Sequence, residues 1–488
     1  MAEHASSFKP SLSLVDATMV VAGSMIGSGI FIVTSDITRN VGSAGWIIAV
    51  WLITGFMTIT AAVSYGELSG MFPKAGGQYV YLKEAFNPLA GFLYGWSFFS
   101  VIQTATIAAV AVAFSRYTAY LVPWFSESHK LWGIEKGLNA QGIMEYSFSI
   151  SAAQVLAIFL IIFLTYTNTK GIKGGKIIQT TFTTVKLLSL FGLIILGFLL
   201  VQHSFWGENW QTGMNATHLQ QDENGNFLKD GSWLSIGGTA LIGAIAAAMV
   251  GSIFSSDSWN NVTFIAGEIK NPKRNIGLSL FLGTLIVTII YVAANLMYLN
   301  VLPLSQIAYP EGDRVAVAAA NSIFGNIGAY VIAVMIMIST FGCNNGLILA
   351  GARVYYTMAK DGLFFNRTGV LNKNAVPEFA LWIQCGMASI LCLSGSYGDL
   401  LDMISFVAVL FYALTIIGIF ILRKKRPQAE RPYKAFGYPV LPVIYIILAL
   451  TFSIFLIKMK PQFAGIGLGI VLAGVPLYYL AVRTKKNV

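Results

Sequence analysis

Long stretches with almost no charge recur along this chain, and that recurrence restricts its fold more than any other feature. Each is long enough for a helix to cross roughly 30 Å of hydrocarbon, which takes about 20 residues. The chain is 56% apolar and 11% charged, where about a quarter charged is usual for globular proteins. Such a chain is a single polytopic membrane domain over residues 1–488, all-α, and its charges lie in the connections. Twelve spans are expected, at about 12–37, 45–70, 88–122, 148–166, a fifth ending near 201, 234–267, 277–302, 328–359, 379–394, 400–422, 438–458 and 463–482. Span 3 exceeds the usual length and is expected to tilt. The stretch between spans 2 and 3, residues 71–86, is rich in glycine and aromatics and reads as a reentrant loop or surface helix.

The net charge of +10 is no sign of a nucleic-acid partner, because no phosphate-binding pattern goes with it. Lys and Arg gather in alternate loops, on the side that holds the N-terminus, and RKKRPQAERPYK after span 10 is the densest cluster. That asymmetry orients a membrane protein with its basic loops inward. The first residues lack the basic and cleavage-site pattern of a signal peptide. Both termini are therefore expected in the cytoplasm, with the protein in the cell (inner) membrane.

Two spans are written in a way that weakens them at mid-membrane. Span 1 contains VVAGSMIGSGIFIVT, with Gly23, Gly27 and Gly29 within seven residues. Glycine inside a helix costs roughly 1 kcal/mol relative to alanine. Span 6 reads MVGSIFSSDSWNNVTF and sets Asp257 among Ser255, Ser256 and Ser258. An opened backbone at that depth is tolerated where it is buried in protein or lines a cavity. Paired interruptions of this kind mark the solute site of many secondary transporters. Their matching positions suggest two inverted five-helix repeats, about 12–202 and 234–422, followed by helices 11 and 12 at about 438–482.

The remaining chemistry is excluded by position. Cys343, Cys385 and Cys392 fall in apolar spans without zinc-type spacing, and no cysteine lies in an outward loop, so no disulfide-linked subunit is expected. The four histidines, His4, His129, His203 and His218, lie in tails or loops, and no HExxH or GxSxG cluster occurs. No enzyme activity, cofactor or metal is expected.

GSMIGSGIF in span 1, AAVSYGELSGMFPKAGGQYVYLKEAF after span 2, FSSDSWNNVTFIAGEIKNPKRN in span 6 and FGCNNGLILAGARVYYTMAKDG in span 8 resemble the amino acid–polyamine–organocation superfamily. Within it the chain is most similar to the L-type amino acid transporters. The resemblance runs in order over nearly the whole chain. It implies two inverted five-helix repeats with discontinuous helices 1 and 6, a mid-bilayer site between spans 1, 3, 6, 8 and 10, and alternating access, often as one-for-one exchange.

An α-amino acid is a zwitterion and needs donors for its carboxylate and acceptors for its ammonium. The freed amides of Gly27, Ser28 and Gly29, at the opening of a half-helix, suit the carboxylate. The carbonyls of Met25, Ile26 and Phe254 suit the ammonium, an allocation that matches the family's positions. By resemblance Phe254 is also the aromatic lid over substrate. Lys186 of span 5 lies too deep to reach the interface and needs an interior partner. By resemblance its ammonium replaces the sodium ion of coupled relatives, making transport sodium-independent. Gln103 and Thr106 on span 3, Asn344 and Asn345 on span 8, and Phe406 on span 10 are candidate pocket linings, or helix–helix hydrogen-bonding groups. Asp257 departs from the relatives that carry glycine there. It leaves open a proton-coupled or cationic amino acid carrier beside the expected exchanger of neutral L-amino acids, and a non-transporting receptor is the remote alternative.

Overall fold

The computed structural model describes residues 10–138, 144–221, 228, 231–394 and 397–486. Among these residues, ten helices are long and apolar enough to cross a membrane, and two shorter apolar helices, Leu14–Met25 and Glu378–Ser394, fall where spans 1 and 9 were expected. The fold is all-α apart from two small antiparallel hairpins, Lys130–Leu138 with Met144–Ser151 and Thr217–Leu219 with Trp233–Ser235. Both hairpins lie in the connections on the side opposite the N-terminus. The first corrects the start of span 4, because strand runs through Ser151 and helix begins only at Ala152. There the Ser151 side chain accepts from Gln154 N while Gln154 accepts from Ser151 N, a reciprocal cap that fixes where the helix starts.

The helix ends follow the same local rules elsewhere. Ser13 and Asp16 form a capping box at the head of span 1, and Pro88 follows the Asn87 cap at the head of span 3. Span 1 finishes its second half-helix at Gly42, whose φ of +44° a side chain would strain. Span 3 runs from Pro88 to Leu121 but is interrupted by a π-turn at Phe98–Ile102, a widening that occurs frequently at functional sites. The stretch Val315–Lys360 is helical on both sides of Gly325, whose φ of +69° breaks it ahead of span 8.

The stretch after span 2 is not a surface helix. Residues Gln78–Ala85 form a short helix whose Gln78, Tyr79, Val80, Tyr81 and Leu82 are buried. Gln78 Nε2 donates to Thr415 Oγ1 of span 10 at 3.1 Å, and Asn260 of span 6 donates to Gln78 Oε1 at 3.0 Å. Glu67 at the end of span 2 accepts from Arg423 at 2.7 Å and from Ala435 N at 2.8 Å, and lies 3.3 Å from Arg431. The basic cluster after span 10 is thereby pinned to span 2.

Candidate functional site

The inner half of span 1 stops at Met25, and a helix that stops leaves up to four carbonyls without amide partners. Here each receives a donor from elsewhere. Lys186 Nζ of span 5 donates to Gly23 O at 2.6 Å and to Ile26 O at 2.8 Å. Cys343 of span 8 donates to Ser24 O at 3.3 Å, and Tyr291 Oη of span 7 lies 3.0 Å from Met25 O. The chain then turns through Gly27, makes one 3-10 turn at Gly29–Phe31, and resumes as helix at Thr34. Beyond the break, Tyr117 donates to Phe31 O at 3.1 Å and Thr34 donates to Asn295 Oδ1 at 2.8 Å. Burying a polar group without a partner costs several kcal/mol in hydrocarbon, so these donors are what permit the break.

Span 6 breaks beside it. Its helix Gly238–Ser255 ends, Ser258 takes a left-handed φ of +64°, and a single turn follows at Asn261–Phe264. The two interruptions touch. A Cβ on Gly29 would stand 2.0 Å from Ser255 Oγ and 2.9 Å from Ser255 Cα, so only glycine allows this approach. The Tyr291 hydroxyl is also 2.9 Å from Ser255 O, and its one proton is shared between the ends of both half-helices.

Beneath the crossing lies a slot of about 10 Å³, the room one water takes, between spans 3, 6 and 10. Its polar lining includes Gln78, Gln103, Asp257, Asn260 and Tyr412. Asp257 is buried and accepts from the Tyr412 hydroxyl. Tyr412, Trp259 and Tyr65 stack edge to face or tilted around it, with centroids 4.7–6.1 Å apart. On the side opposite the N-terminus a vestibule of about 240 Å³ reaches down to Ile32, Val33 and Gly251. On the N-terminal side the chain is closed: Ser11 and Leu12 donate to Glu268 O at 2.8 and 2.9 Å, Lys270 donates to Leu12 O at 2.9 Å, and buried Arg353 of span 8 meets Glu268 at 3.2 Å.

The expected site residues divide accordingly. Met25, Ile26, Gly27, Ser28, Gly29 and Phe254 lie at the two interruptions, and Gln103 and Asp257 line the slot. Met25 O already accepts from Gly27 N at 2.8 Å and Tyr291 Oη at 3.0 Å, Ile26 O from Lys186 Nζ at 2.8 Å and Ser339 Oγ at 3.5 Å, and Phe254 O from Asp257 N at 3.2 Å. Gln103 also donates to Leu347 O at 2.7 Å, tying span 3 to span 8. Thr106 spends its hydroxyl on its own helix at Ile102 O, 2.6 Å away. Asn345 accepts from Asn168 of span 4 at 2.8 Å, whereas both polar atoms of buried Asn344 lack a partner among the described residues. Phe406 packs toward span 12, 3.4 Å from where a Cβ on Gly467 would be, and does not line the slot.

Sequence reasoning passed over Tyr291, Asn295, Tyr298, Gln78, Asn260 and Tyr412. The first three recur at i, i+4 and i+7 of span 7, a polar stripe in an otherwise apolar helix, and that periodicity was the available signal.

A family model described as amino acid permease matches residues 12–482. Large neutral amino acids transporter small subunit 2 of Homo sapiens is 30% identical over 475 residues, which cover 97% of this chain and 81% of that protein. Asc-type amino acid transporter 1 of Mus musculus is 28% identical over 480 residues, 98% of this chain and 82% of the relative. The b(0,+)-type amino acid transporter 1 of Homo sapiens is 27% identical over 491 residues, 98% of this chain and 89% of the relative. With a match that leaves only the chain's extremities outside it, the protein belongs to the amino acid permease family.

Proposed function

We propose that this chain is a sodium-independent secondary transporter that exchanges neutral L-amino acids by alternating access. The observation that carries the reading is the meeting of two interrupted helices at Gly29 and Ser255, which sets peptide donors and acceptors side by side in mid-membrane. The amides of Ser28 and Gly29 head the resumed part of span 1 and take the substrate carboxylate, joined by that of Gly27 once it leaves Met25 O, which it now meets at 2.8 Å. The carbonyls of Met25, Ile26 and Phe254 take its ammonium as it displaces donors they now hold, and Phe254 covers it. Backbone reads only what every α-amino acid shares, so side-chain preference falls to the spans around it. The permeases of this family are transporters and not enzymes.

Lys186 supplies a fixed positive charge where its ammonium bridges Gly23 O and Ile26 O. A group already satisfying those carbonyls removes the need for a metal cation, which supports sodium independence. The conformation described is closed at Glu268 and Arg353, while on the other side the vestibule comes down to Val33 and Gly251, an asymmetry that suits one half of an alternating cycle. The cycle is carried by inverted repeats at about 12–202 and 234–422. Both termini lie in the cytoplasm, in the cell (inner) membrane, with the vestibule facing out. The buried state of Cys343, Cys385 and Cys392 supports a transporter without a disulfide-linked companion.

One observation favours a second reading. Asp257 places a buried carboxylate at the slot, and its negative charge suits a cationic side chain or a transported proton. Proteoliposomes decide between them. Uptake that requires internal amino acid and ignores sodium supports exchange. Uptake that follows ΔpH without internal amino acid overturns it in favour of the Asp257 carrier, and binding without flux leaves only a receptor.

A further inference from the structure

On the N-terminal side, far from the crossing helices, the connection between spans 8 and 9 forms a groove of about 390 Å³. Arg367 and Asn372 stand on one wall, and Phe379 and Trp382 of span 9 on the other. The Arg367 guanidinium sits over the Phe379 ring at 5.0 Å and forms no ion pair among the described residues. Asn372 and Asn374 both donate to Thr169 O at 3.1 Å, which clamps this connection onto the end of span 4. That clamp brings exposed Lys170 and Lys373 to the same edge as exposed Arg367. Glu378 is the carboxylate in the groove, and it already accepts from Asn372 at 3.1 Å.

Below the basic edge the outer face of span 9 is apolar and exposed, dipping at Gly386. Trp382, Gly386 and Ile390 recur every fourth residue on its outer face, with Trp382 38% and Ile390 62% exposed, and a Cβ on Gly386 would meet nothing within 4 Å. Cations at the level where a helix enters hydrocarbon, above a shallow apolar furrow, match an anionic headgroup joined to an acyl chain. We infer that the groove between Arg367, Lys373 and Trp382 binds an anionic phospholipid, headgroup on the cations and chain along the Gly386 furrow. A basic residue near an anionic membrane surface is worth about 1 kcal/mol, or roughly fivefold in affinity. Arg367 and Lys373 together should therefore raise the preference for an anionic over a zwitterionic lipid by about twentyfold or more.

Native mass spectrometry of the full chain, titrated with phosphatidylglycerol or phosphatidylcholine, tests this. Wild type is expected to retain phosphatidylglycerol preferentially, and R367Q/K373Q to lose that preference by about twentyfold while K424Q, in the basic cluster after span 10, keeps it. Charge-preserving R367K/K373R should behave as wild type, which guards against a folding defect. Inorganic phosphate at millimolar concentration should not displace the lipid, and G386W should shorten its retention. Equal retention of both lipids, an equal loss in K424Q, retention unchanged in G386W, or displacement by phosphate would each overturn the assignment.

Discussion

Replacing Tyr291 with phenylalanine removes one hydroxyl and little else. The ring keeps its edge-to-face contact with Trp51, whose centroid is 5.2 Å away. The lost proton was shared between Met25 O at 3.0 Å and Ser255 O at 2.9 Å, the ends of the two interrupted helices. Stranding a buried acceptor costs about 1–3 kcal/mol. Met25 O still receives Gly27 N at 2.8 Å, so the penalty falls mainly on Ser255 O, and about 1–2 kcal/mol is expected. At 1.4 kcal/mol per decade that is about five- to thirtyfold in an equilibrium between conformations. Exchange in proteoliposomes should slow by that factor, and the thermal midpoint of the purified protein should fall. Tyr298→Phe is the comparison, since its hydroxyl reaches Ile30 O only at 3.4 Å and should matter less than threefold. If Y291F matches wild type in both exchange and thermal midpoint, the hydroxyl does not join the two breaks and the argument fails.

Four further outcomes are expected. Lys186→Met strands Gly23 O and leaves Ile26 O only a 3.5 Å bond from Ser339, and should reduce flux at least tenfold in inserted protein, from about 1–3 kcal/mol for the stranded carbonyl; unchanged flux in counterflow removes the role given to the ammonium. Gly29→Ala should abolish exchange because its Cβ would overlap Ser255, with partial recovery in G29A/S255G; wild-type exchange in G29A would show the helices are not in contact there. Asp257→Asn should leave neutral exchange within about threefold if the exchanger reading holds; loss of ΔpH-driven or cationic uptake alone would move the assignment to the carrier. Arg353→Gln leaves Glu268 unpaired in a buried setting, worth about 3–5 kcal/mol, and should expose the slot between spans 3, 6 and 10 from the N-terminal side to a membrane-impermeant thiol reagent at an introduced cysteine; labelling equal to that of the parent would show that the pair does not hold that side shut.

The class of protein was legible because hydrocarbon punishes charge, so long uncharged runs admit few readings. The breaks were legible because glycine and serine crowd where a helix would otherwise be strongest. What satisfies the breaks was not, since a tyrosine in an apolar span looks like ordinary packing until the carbonyl opposite it is seen. Lys186 was found by its cost, whereas Tyr291 carries no such cost and left only a faint periodicity. The stretch 71–86 was ambiguous for a similar reason: its glycines and aromatics suit either a reentrant loop or a surface helix, and only Asn260 and Thr415, distant in sequence, show its helix Gln78–Ala85 buried against spans 6 and 10. Thr106 and Phe406, candidates by residue type and span, turn to Ile102 O of the same helix and toward Gly467 of span 12, neighbours that residue type alone does not name.

Sorting the bonds to span 1 by origin has a mechanical consequence. Those shared with Tyr291 and Asn295, and a longer one from Tyr298, all involve span 7, so in the proposed cycle spans 1 and 7 are expected to travel as a single lever. Those from Tyr117, Lys186 and Cys343 come from spans 3, 5 and 8, and in the proposed cycle they are the ones expected to be remade on each stroke. Changes in the first set bend the lever, whereas changes in the second reset its friction, and turnover rate rather than affinity is where the second kind is expected to register.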